Sequence, residues 1–90
     1  MAKAGTKKSA VVERVQTGIR IETRLLKVLK ATAELKDVSL GDLIEGIVLH
    51  AFEGKAPFSR ATLAHIAELR EIYGLTLRAS DSHSLVEKGE

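Results

Sequence analysis

Apolar and polar residues alternate along RVQTGIRIE, from Arg14 to Glu22, and after it the period of the pattern changes to that of a helix. Side chains alternate across a strand, so the stretch predicts one β-strand with Val15, Thr17, Ile19 and Ile21 on an apolar face. Arg14, Gln16, Gly18 and Arg20 share the other face. No second good strand follows to satisfy its backbone N–H and C=O groups, so the expected partner is a second copy of the chain.

Three helical patterns come next. Leu25, Leu26, Leu29 and Ala33 recur at helical spacing with Lys27, Lys30 and Glu34 outside the stripe, and Glu22 or Thr23 is placed to cap the start. This helix should fade near Lys36 and Asp37. SLGD then signals a new start, with Ser39 as N-cap and Asp42 three residues on as a short capping box. Leu40, Leu43, Ile44, Ile47, Val48, Ala51 and Phe52 make a second amphipathic helix to about Glu53, closed by Gly54 before Pro57. Ser59 opens a third, with Leu63, Ile66, Ala67, Leu69 and Ile72, and Gly74 ends it. Leu75, Thr76 and Leu77 alternate briefly, and Ala79 to Glu90 has no periodicity.

Ninety residues without cysteine form one small domain lacking disulfide or thiolate-metal staples, so stability is expected to come from oligomerisation. The first 12 residues are small, basic and aperiodic, and read as a mobile arm. Neither a membrane span nor a signal peptide is written, which makes the cytoplasm the expected compartment. The net charge of +2 is modest, yet its placement is uneven. Residues 1–24 hold Lys3, Lys7, Lys8, Arg14, Arg20 and Arg24 against Glu13 and Glu22, whereas the remainder has eight basic and ten acidic residues. The arm and the strand would meet a polyanion.

The run GIRIETRLLKVLKATAELKDVSLGDLIEGIVLHAF, in which an alternating strand leads into a leucine-bearing helix and a Ser39-Leu40-Gly41-Asp42 start to an apolar one, resembles the ribbon-helix-helix family of DNA-binding proteins, the Arc and methionine repressor superfamily. The resemblance covers residues 14–54. It implies a mostly α fold with one short strand per chain, in an intertwined homodimer whose strands pair into a two-stranded antiparallel ribbon. A flexible basic arm (1–13) would precede this domain, and a helical extension (55–78) and a flexible tail (79–90) would follow it. The implied function is a transcriptional repressor that inserts the ribbon into the major groove of double-stranded DNA.

Matched position by position, Gln16, Gly18 and Arg20 would read bases, with Arg14 just outside them. Arginine can form a two-pronged contact with guanine and glutamine with adenine, while Gly18 departs from three reading side chains. Ser39, Leu40 and Gly41, at a helix start, would grip a phosphate, helped by Lys7 and Lys8 of the arm. Val15, Thr17, Ile19, Ile21, Leu29, Leu43, Ile44, Ile47 and Val48 would form the dimer core. Dimers could associate further on DNA.

His50, His65 and His83 sit on separate elements without ligand-type spacing, and no glycine-rich phosphate loop, cysteine nucleophile or convergent carboxylate pair is present. Neither a metal, nor a cofactor, nor an enzymatic activity is therefore expected. The competing reading is the antitoxin of a toxin-antitoxin pair, binding a partner protein through residues 55–90.

Overall fold

A computed structural model describes residues 9–89. Three α-helices make the body: α1 over Thr23–Lys36, α2 over Leu40–Phe52 and α3 over Arg60–Tyr73, followed by a single 3-10 turn at Ala79–Asp81. Helix α1 lies at the centre and packs against both α2 and α3.

Each helix boundary has a local cause. Glu22 caps α1 through its carboxylate, which accepts the Leu25 N–H at 2.8 Å. Asp37 ends the helix in the left-handed region at φ 59°, and the Val38 N–H closes back on the Ala33 carbonyl at 3.0 Å. Two residues later Ser39 Oγ accepts the Asp42 N–H at 3.1 Å and α2 begins. Gly54, at φ 71°, follows the last turn of α2, and the Lys55 N–H reaches the His50 carbonyl at 2.8 Å. Ser59 caps α3 by accepting the Thr62 N–H, and Gly74 closes it at φ 67°.

The buried apolar side chains are Val28, Ala33, Leu43 and Leu75. Thr32 joins them at 2% exposure, because its hydroxyl donates to the Val28 carbonyl at 2.7 Å and leaves no polar group unpaired. The buried stripe of α1 is thus Val28, Thr32 and Ala33. Leu26 and Leu29 are half-buried and Leu25 is exposed, so the stripe is rotated from the one expected from leucine spacing. Helix α1 is covered by both α2 and α3, so its buried set is wider than a single amphipathic stripe predicts.

The expected strand and ribbon are not found. Among the described residues there is no β-strand, and residues 9–22 run without helix, turn or bend. The physical reason lies in the chain itself, since a strand exists only in a ladder and no backbone hydrogen bond joins residues 9–21 to the rest of the described chain. The ribbon-helix-helix architecture is replaced by a three-helix body carrying an unpaired N-terminal segment. Every residue from 9 to 20 is exposed, Val15 at 86% and Ile19 at 70%, so the apolar face expected there covers no core within the chain.

Candidate nucleic-acid interface

The four expected base-reading residues, Arg14, Gln16, Gly18 and Arg20, lie on that segment and are exposed to solvent. At roughly 3.3 Å per residue, Arg14 and Arg20 would stand about 20 Å apart in a fully extended chain. Each guanidinium is held by a carboxylate from elsewhere in the sequence. Arg14 donates through Nε and Nη2 to Glu45 of α2, at 2.7 and 2.8 Å, as a two-pronged pair. Arg20 makes the same kind of fork with Glu87, its Nε donating to Oε1 at 3.1 Å and its Nη2 donating to Oε2.

These pairs set the local electrostatics. The hydrogen bond from Arg14 holds the Glu45 carboxyl below its ordinary value, partial desolvation opposes this, and the charge of Arg14 adds to the lowering. Arg14 is raised in turn, first by that hydrogen bond and then by the charges of Glu45 and, further off, Asp42. Arg20 is raised by its hydrogen bond to Glu87. Both pairs are exposed to solvent and screened by salt, so a competing anion can replace either carboxylate.

Gln16 and Gly18 are exposed, and a Cβ added at Gly18 would meet nothing within 4 Å. Its glycine is therefore not required by packing within the chain. At the start of α2, Ser39 and Gly41 are exposed and Leu40 is half-buried. The Ser39 hydroxyl oxygen is occupied by the Asp42 N–H, while the N–H groups of Leu40 and Gly41 belong to the first turn, which has no intrahelical acceptors. Glu45 stands one turn beyond Gly41, so the Arg14 pair brings the N-terminal segment alongside the first half of α2. Lys7 and Lys8 lie outside the described residues.

Of the residues expected in a dimer core, Leu43 is buried within the chain and Ile21, Leu29, Ile44 and Ile47 are half-buried. Val15, Thr17, Ile19 and Val48 are exposed, as are Leu49 and Phe52 on α2. A set of large apolar side chains on α2 and the N-terminal segment thus faces solvent in the single chain.

The two carboxylates were absent from the expectations, and sequence offers no local signal for them: Arg14 and Glu45 are 31 positions apart, Arg20 and Glu87 are 67. His50 is exposed in the last turn of α2, its Nδ1–H donating to the Gly46 carbonyl at 2.7 Å, and His65 lies 3.8 Å from Glu68. Among the described residues no group of three or more histidines, cysteines and carboxylates is arranged to hold a metal ion. Nor is any of their helices long and apolar enough to cross a membrane. No family model, curated protein or solved structure matches the chain.

Proposed function

We propose that the chain is a sequence-specific DNA-binding regulator of transcription, a cytoplasmic repressor that works as a homodimer and has no catalytic activity. The observation that carries this reading is the exposed N-terminal segment, whose two arginines already hold planar, two-pronged anions in the geometry used for guanine edges and phosphates. Arg20, Gln16 and Arg14 supply base contacts in the major groove, and Gly18 allows close approach. The free N–H groups at the start of α2 take a backbone phosphate beside Ser39, Leu40 and Gly41. The exposed Val15, Ile19, Val48, Leu49 and Phe52 support self-association, because a monomer would leave these large side chains in water.

The test is selection of a duplex from a random pool, followed by binding titrations with the wild type, Arg20→Ala and Gln16→Ala at several salt concentrations. Each variant should lose about five- to a hundredfold in specific affinity while keeping its helical content. Wild-type affinity should fall steeply with salt as counterions are released. Binding of the selected duplex by both variants at wild-type strength would remove the segment as reader.

A second reading is favoured by α3, where Leu63 and Ile72 are exposed although Ile66 and Leu69 are half-buried. In that reading the protein is an antitoxin and α3, with Leu63 on one flank and Ile72 on the other beside α1, meets a partner protein. Copurification of a partner, lost in a Leu63→Ser, Ile72→Ser double variant that stays folded, is its signature.

A further inference from the structure

The chain after α3 is fixed to the body at several points before it reaches Arg20. Gly74 and Leu75 start the path: Arg24 Nη1 donates to the Gly74 carbonyl at 2.9 Å, the Leu75 N–H bonds to the Arg70 carbonyl at 2.8 Å, and the Leu75 side chain is buried. Arg70 Nη2 then donates to the Leu77 carbonyl at 2.7 Å. At the 3-10 turn the Asp81 carboxylate accepts the Arg78 N–H at 2.7 Å, and Ser84 N–H bonds to the Asp81 carbonyl at 3.0 Å. His83 takes a left-handed conformation at φ 68°, an uncommon choice for a residue with a Cβ, and redirects the chain. Glu87, four residues on, meets the Arg20 fork.

We propose that residues 75–89 form an autoinhibitory strap, in which Glu87 occupies the Arg20 guanidinium in the place that a guanine edge or a phosphate would take. The inference rests on the DNA-binding reading above and adds a regulatory state to it. A carboxylate presents two coplanar acceptor oxygens, as the O6 and N7 edge of guanine does, so one fork cannot serve both partners at once. The side chains of the pair remain 82% and 61% exposed, so the strap competes with DNA without being locked in place. The apparent affinity is the intrinsic affinity multiplied by the fraction of chains in which Arg20 is free, so occupancy by Glu87 weakens binding.

The experiment compares wild type, Glu87→Gln and, as a control for net charge alone, Glu68→Gln on the outer side of α3. Two readouts are taken: the Arg20 Nε–H resonance and its solvent exchange by NMR without DNA, and affinity for the selected duplex. Glu87→Gln should shift the Arg20 signal, speed its exchange and tighten DNA binding about two- to fivefold for each strap released. The gain should shrink as salt rises, since salt screens the exposed pair as well. Glu68→Gln should leave the Arg20 signal in place and tighten binding less. An Arg20 signal indifferent to Glu87→Gln overturns the strap whatever DNA does. Wild type that binds DNA, with equal gains from Glu87→Gln and Glu68→Gln, overturns the inhibition and leaves the DNA reading standing. Absence of duplex binding by every form, with the Arg20 signal responding, overturns both the DNA reading and the inhibitory role.

Discussion

Thr32 offers a sharp test of how this small core is held. Its side chain is buried to 2% exposure, and its hydroxyl donates to a carbonyl one turn back in the same helix. Thr32→Val exchanges that hydroxyl for a methyl of nearly the same shape. The lost hydrogen bond costs about 0.5 to 1.5 kcal/mol, and the added apolar group contributes about 0.8 kcal/mol in return. The Val28 carbonyl still has its helical N–H partner, so no buried acceptor is orphaned and the variant should lie within about 1 kcal/mol of wild type. Thr32→Ser keeps the hydroxyl and deletes the methyl, which costs the transfer term plus the void, about 1 to 2 kcal/mol. Urea unfolding followed by helical circular dichroism, at one fixed protein concentration, separates the two. A Ser variant as stable as wild type beside a Val variant weakened by more than about 2 kcal/mol would refute the reasoning, because the hydroxyl would then be holding more than its own helix.

Leu75→Ala should cost about 2 to 5 kcal/mol by the same assay, since it removes one of the four buried apolar side chains among the described residues; a loss below about 1 kcal/mol would place residue 75 outside the core. Ser39→Ala should cost about 1 kcal/mol through the lost cap on the Asp42 N–H, with Ser39→Asn largely restoring it. Stability should also fall on acidification. The folded-state values of Glu22, lowered chiefly by the Leu25 N–H, and of Glu45, lowered chiefly by Arg14, both lie below the ordinary 4.5. Their contribution is therefore present above that value and lost as the pH drops through the folded ones. Melting temperatures from pH 6 to 3 should fall less steeply in Glu22→Gln and Glu45→Gln than in wild type, and equal slopes would show that these carboxylates are not responsible.

The parts of the fold that were legible in sequence are those decided within a few residues. Ser39, Ser59 and Gly74 mark helix ends because cap chemistry is local, and the structure places them there. The burial of Thr32 was not legible, since a polar residue becomes a core residue only when a carbonyl one turn back accepts its proton. Arg14 and Arg20 could be singled out as cations on one face of the segment, but their carboxylate partners could not, because those contacts depend on how distant segments pack. The strand expected over residues 14–22 is absent from the described chain for a related reason. Alternation records which side chains a stretch could bury, whereas a strand needs hydrogen-bonding partners, and the described chain supplies none.

The open N-terminal segment also bears on the speed of encounter. The radius of gyration is 15.5 Å, against about 12 Å for a compact chain of this size, and the longest dimension is 54 Å where the shortest is 24 Å. Once its exposed ion pairs to Glu45 and Glu87 open, the tethered segment can make first contact before the body is correctly oriented. Orientation is a large part of what slows the docking of two rigid surfaces. In the proposed DNA-binding role, a chain built this way would gain in association rate, and the helices behind the segment would determine how long the contact lasts.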